Sequence, residues 1–151
     1  MRKFRNALFI ASFIIVTDQI TKYLVARAIS PLDSVTIFPF LHLVHVRNKG
    51  AAFGMFSWIG SDFFITVSVI AIIIVLLLLL KSKESYFGLS LILGGAIGNL
   101  IDRVSFGYVL DFIDFSIDKY HWPAFNVADS ALTFGITIVF LIPLLRKARR
   151  D

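Results

Sequence analysis

Between residues 63 and 80 the chain runs for 18 residues without a charged side chain, and this stretch decides which solvent the protein folds in. A helix of ~18–20 apolar residues matches the ~30 Å hydrocarbon core of a bilayer. Composition agrees: 58% of the residues are hydrophobic and mean hydropathy is +0.84, whereas a soluble domain is about 45–50% apolar. There are no cysteines. Disulfides, thiolate zinc sites and a cysteine nucleophile are therefore all excluded.

Three further apolar runs, at 7–29, 86–103 and 129–146, complete an expectation of four transmembrane helices in one domain, 1–151. The first run follows Arg2, Lys3 and Arg5, as in a secretory signal peptide. It is too long for a signal h-region, however, and lacks an A-x-A cleavage pattern, so it reads as a membrane span. Two long loops, 30–61 and 104–128, separate the helices. Within the first, 34–38 and 41–46 are rich in β-branched and aromatic residues and read as short strands around Pro39. The stretch 47–54 follows, its small residues flanked by Phe53, Met55, Phe56 and Trp58. This pattern suggests a flap with its aromatics at the headgroup level. In a strand, His42 and His45 face opposite sides. With no other ligand cluster, no metal site is expected.

The pI near 9.7 does not point to nucleic acid, because the basic residues sit at segment ends. The N-terminus, the 81–85 hinge and the C-terminal tail hold nine of the 15 Lys and Arg residues. With four spans, these three places share one side, and the positive-inside rule makes it cytoplasmic. Both termini are then inside, and both long loops face out. Asp18, Asn48, Asp111 and Asp129, from four separate parts of the chain, converge on the outer boundary.

Acids at a membrane boundary are costly to bury and mark functional sites. The segment 94–130 is largely apolar, yet it holds Asp102, Asp111, Asp114, Asp118 and Asp129. No G-x-S-x-G elbow is present, which leaves a carboxylate pair as the route to hydrolysis. Two close aspartates share a proton; one activates water while the other polarises a carbonyl. Asp111 and Asp129 each lie among apolar residues. Asp129 opens a helix, so capping competes with catalysis there, and Asp114 and Asp118 are rival partners that spacing does not exclude. Asp18 and Lys22, four apart on one helix face, read either as a snorkelling anchor or as a buried polar pair supporting a site. Gly94 and Gly98 form a small-xxx-small helix-packing pair.

Five segments in order, DQITK (18–22), NKGAAFG (48–54), GGAIGNLIDR (94–103), VLDF (109–112) and FNVADS (125–130), resemble the motifs of bacterial lipoprotein signal peptidases, the signal peptidase II family. The resemblance covers nearly the whole chain. It implies an all-α membrane protein of four transmembrane helices, with a small extracytoplasmic β-sheet and a flap loop over the site. The implied activity is that of an aspartyl protease of the bacterial plasma membrane, which cuts prolipoproteins just before a diacylglyceryl-modified cysteine. The resemblance carries the catalytic pair to Asp111 and Asp129. It carries supporting roles to Asp18, Lys22, Asn48, Gly95, Asn99, Arg103 and Asn126. It implies inhibition by the cyclic peptide globomycin. No cofactor is expected, and nothing in the chain requires more than a monomer among membrane phospholipid. The chain departs from many members at Gly54, where they carry Ser.

Two other functions fit intramembrane charges. A transporter would use Asp and Lys as an ion path, but here the polar residues gather at one face and do not cross the membrane. A scaffold paired through Gly94 and Gly98 would leave the outer aspartates without a role.

Overall fold

A computed structural model describes residues 2–31, 33–50, 55–81 and 85–148. In chain order the elements are α1 (Arg2–Ala28), β1 (Ser34–Phe38), β2 (Leu41–Asn48), a 3-10 turn (Ser57–Ile59), α2 (Ser61–Lys81), α3 (Tyr86–Phe106), β3 (Val109–Ile117), β4 (Tyr120–His121) and α4 (Val127–Ala148). Three helices, over Lys3–Ala28, Ser61–Lys81 and Tyr86–Phe106, are long and apolar enough to cross a membrane; the apolar part of α4, Val127–Leu141, is shorter. The flap segment 51–54, Gly54 included, lies outside the described residues, as do hinge residues 82–84 and the tail 149–151.

α3 packs against each of the other three helices, and its glycines are the reason. A Cβ on Gly94 would lie 2.8 Å from Ile14 Cβ on α1. One on Gly95 would run into the Ala128 carbonyl oxygen on α4 and lie 2.8 Å from Leu132 Cγ. Lower down, Gly88 of α3 meets Gly135 of α4, where a Cβ on Gly135 would lie 2.7 Å from the Gly88 carbonyl oxygen. Backbones approach this closely only where side chains are absent. Gly94 thus packs a helix as expected. Gly98 instead makes room for a polar group: a Cβ there would lie 2.8 Å from Asp18 Oδ2. Ala7, Ala11, Val75, Leu79, Leu89 and Leu93 form the apolar core shared by α1, α2 and α3.

The four strands form one antiparallel sheet in the order β1-β2-β3-β4. β1 occupies the residues expected of it, and β2 runs two residues further, to Asn48. The expectation of a loop across 104–128 is corrected. α3 extends to Phe106, where Gly107 at φ 76° closes the helix by donating its N–H to the Arg103 carbonyl. β3 and β4 then fill most of the interval. The fold is therefore mostly helical with a real sheet, and not all-α. The acids at 111 and 114 interrupt the apolar alternation that marks a strand, and β3 takes its ladder from β2, some sixty residues earlier in the chain. Val25 and Ile29 of α1 and the segment that follows it pack on Phe112 of β3, seating the sheet on the helices. His45 adds a bond from Nδ1 to the Ile29 carbonyl oxygen at 2.9 Å.

Candidate active site

Pairing of β2 with β3 sets Asn48 opposite Val109 and Val46 opposite Asp111. Asn48 Nδ2 donates to Asp111 Oδ2 at 2.9 Å. On the other side of the carboxylate, Asn126 Nδ2 donates to Asp111 Oδ1 at 2.7 Å. Asn126 is the residue before α4. Its Oδ1 accepts the Asp129 N–H at 2.8 Å, while its own N–H donates to Asp129 Oδ2 at 3.3 Å. This reciprocal pair is a capping box. The capping role expected of Asp129 is therefore present, in a group that also stands beside Asp111. The other Asp129 oxygen, Oδ1, accepts from Asn99 Nδ2 of α3 at 2.7 Å.

The orientation of all three amides is determined by a second partner. Asn48 Oδ1 accepts the Gly50 N–H at 2.9 Å, Asn99 Oδ1 accepts from Lys22 Nζ at 3.0 Å, and Asn126 Oδ1 takes the cap. Each NH₂ group is left to face a carboxylate. Burial, and then the charge of Asp129, push the Asp111 carboxyl up to about 7, against the pull of the Asn48 and Asn126 donors and the Lys22 charge. A carboxyl titrating near neutrality beside a second one is the arrangement in which a pair holds a single proton.

Beneath this lies a buried charged layer. Lys22 Nζ stands 2.8 Å from Asp18 Oδ2 and 3.0 Å from Asp102 Oδ2, and Asp18 and Lys22 are 0% and 4% exposed. The pair lies well inside α1 and packs inward, so it is a buried polar pair and does not snorkel to the interface. Asp18 Oδ1 also accepts the Ala128 N–H at 2.9 Å, and Asp102 Oδ2 accepts the Leu110 N–H at 3.1 Å. One carboxylate thus holds the residue before Asp129, and the other the residue before Asp111. Asp102 and its partner Gln19, whose Nε2 donates to Asp102 Oδ1 at 2.9 Å, were not among the expected site residues. The signal was available: an acid at the end of an apolar helix needs a buried partner.

The remaining expected residues are also placed. Gly95 sets the α3–α4 distance. Arg103 Nη2 donates to the Gly50 carbonyl at 3.1 Å and lies over the Phe64 ring, 5.5 Å from its centroid. The rival aspartates are elsewhere. Asp114 accepts from or pairs with His121 at 2.8 Å, and Asp118, at φ 52°, turns the exposed β3–β4 hairpin. A cavity of about 650 Å³ opens over the two carboxylates. Asn48, Asn99 and Arg103 line it on the polar side, with Val67 and Ala71 of α2 and Phe134 of α4 on the apolar side. It offers an acid–base pair at the mouth of an apolar slot.

Comparison with known proteins fits this arrangement. A family model for signal peptidase (SPase) II matches residues 10–145. A lipoprotein signal peptidase of Thermodesulfovibrio yellowstonii is 48% identical over 134 residues, covering 89% of this chain and 90% of the relative. One from Syntrophotalea carbinolica is 43% identical, covering 93% and 92%. Two solved structures of bacterial membrane enzymes superpose with TM-scores of 0.88 and 0.82. The first, 36% identical, covers 97% of this chain and 92% of its own; the second, 38% identical, covers 92% of each. Sequence, fold and match length agree from the first helix to the last, and the chain belongs to the signal peptidase II family.

Proposed function

We propose that this membrane protease is an aspartic endopeptidase, that Asp111 and Asp129 are its catalytic residues, and that it removes the signal peptide from diacylglyceryl-modified prolipoproteins. The observation that carries the reading is the pair itself: two carboxyl groups from β3 and α4, each held by asparagine donors, open to one cavity.

In the active form the pair holds one proton. The ionised carboxylate takes a proton from water as the water oxygen attacks the carbonyl carbon of the peptide bond before the lipidated cysteine. The protonated carboxyl donates to the carbonyl oxygen. Collapse of the tetrahedral intermediate breaks the C–N bond, and a carboxyl proton passes to the leaving amine. The three asparagines keep both carboxylates aimed at the cavity without adding charge. Lys22 acts through Asn99 as a positioning residue. Arg103 ties the root of the flap, at Gly50, to α3.

The apolar walls contributed by α2 and α4 suit a signal helix lying within the bilayer. The sheet end faces outward and both termini face the cytoplasm of the bacterial plasma membrane, since nine of the 15 basic residues belong to the N-terminus, the α2–α3 hinge and the C-terminal tail. On this reading α4 is the fourth span, the enzyme acts as a single-domain monomer, and a globomycin-type cyclic peptide occupies the same cavity.

A gel-shift assay on a lipid-modified prolipoprotein in detergent tests the proposal. Asp111→Asn and Asp129→Asn should each lower the rate by about 100-fold or more while remaining folded. Normal cleavage by both variants would refute the dyad.

A further inference from the structure

Six of the 15 basic residues lie away from the two termini and the α2–α3 hinge: Lys22, Arg27, Arg47, Lys49, Arg103 and Lys119. Lys22 and Arg103 belong to the site. Of the other four, three stand over tyrosine rings. Arg27 lies 5.1 Å from the Tyr23 centroid, Arg47 lies 5.2 Å from that of Tyr108, and Lys119 Nζ lies 5.8 Å from that of Tyr120. The chain has only four tyrosines, so three of them are used in this way. The three pairs come from the last turn of α1, the end of β2 with the start of β3, and the β3–β4 hairpin. All are at the sheet end of the helices.

All three cations are exposed. Asp33, Asp62 and Asp118 are exposed carboxylates of the same end, yet among the described residues none of the three cations is in an ion pair. A ring beneath a cation fixes its position without neutralising its charge. Around the pairs the surface is apolar: Ile117 is 77%, Trp122 62% and Phe38 54% exposed. Phe38, Phe40, Phe115 and Phe125 stack in a row at successive centroid distances of 5.8, 6.4 and 5.9 Å. A patch of this kind marks an interaction surface. Aromatic rings at the acyl boundary with cations above them match the chemistry of an interfacial lipid layer.

We infer that Arg27, Arg47 and Lys119, each seated on its tyrosine, form a collar that binds the phosphate groups of anionic phospholipids, while the phenylalanine row and Trp122 rest on their acyl chains. The collar holds the sheet against the bilayer surface, so the cavity opens where lipidated chains lie and not into bulk water. Its occupant is bilayer lipid, and it needs no substrate.

The chain has two tryptophans, so Trp58→Phe leaves Trp122, beside the hairpin, as a single reporter. That protein, reconstituted in vesicles, is titrated with brominated phosphatidylglycerol or brominated phosphatidylcholine. Expected is quenching by both, with a several-fold preference for the anionic lipid that falls as salt rises. Arg27→Gln, Arg47→Gln and Lys119→Gln together should abolish the preference and leave quenching by the zwitterionic lipid. Lys119→Gln alone, on an exposed hairpin, should weaken it without touching the fold. Equal quenching by the two lipids, a preference that survives the triple substitution, or no quenching by either lipid would each overturn the inference. Fluorescence alone decides the outcome, so a failed cleavage assay would leave it standing.

Discussion

Asp111 carries the clearest chemical signature in the molecule, a carboxyl displaced to about 7 by burial and by its neighbour. Its fold-state affinity for a proton exceeds that of the unfolded chain. Its contribution to stability is therefore fullest below about pH 4 and declines as pH rises toward 7. In the proposed mechanism cleavage requires the shared proton, so the rate should fall as pH rises above about 7. Asn48 holds the ionised form through its 2.9 Å bond. Asn48→Ala should therefore move the alkaline limb upward by on the order of 1 pH unit, the worth of one hydrogen bond to a charged group. A pH–rate profile with an unmoved limb would show that Asn48 does not govern the titration. Individual side chains were also the least legible part of the sequence. Polarity and position alone left Asp114 and Asp118 level with Asp111; only the motif resemblance separated them. Asp114 lies opposite His42 and points its charge at His121, away from the dyad.

Helices were readable because their signal is local: a long apolar run declares itself, and α2 differs from expectation by at most two residues at its ends. α1 begins five residues earlier than expected, since Arg and Lys continue a helix as readily as they flank a membrane. β3 escaped notice because its partner is distant in sequence and its acids are satisfied from outside the strand. At this level the glycines control the chemistry. Gly95→Ala would press a methyl group into the Ala128 carbonyl and force α3 from α4, parting Asn99 from Asp129. Overpacking of this kind costs about 1–3 kcal/mol. A lower melting temperature together with a reduced cleavage rate is the expected result. Unchanged values for both would mean that the helices repack without loss.

No single part of the chain contains the site. Asp18 on α1 holds the backbone of Ala128, Asp102 on α3 holds that of Leu110, and Lys22 lies between the two acids. Helices and sheet are thus joined by the groups that hold the backbone next to Asp111 and Asp129. In detergent, activity and helical circular dichroism should be lost at the same temperature, as in a cooperative transition. Lys22→Met, which strands two buried carboxylates, should lower both midpoints together, at a cost of about 3–5 kcal/mol. If activity disappears well below the helical transition, the sheet unfolds independently and this coupling is absent. The convergence of four chain segments on one end could be read from charge and hydropathy. The wiring beneath it could not, because it runs through backbone N–H groups that look alike in every sequence.

The capping box that starts α4 has a mechanical consequence. Asp129 Oδ2, which accepts the Asn126 N–H at 3.3 Å, belongs to a carboxyl group that, in the proposed mechanism, also gains and loses a proton in each catalytic cycle. When that oxygen is protonated, the helix loses one of its end fastenings; when the proton leaves, the fastening returns. In that mechanism the first turn of α4 would slacken and tighten once per turnover, and Asn126, bonded to Asp111 at 2.7 Å, links that end of the helix to the second carboxyl group.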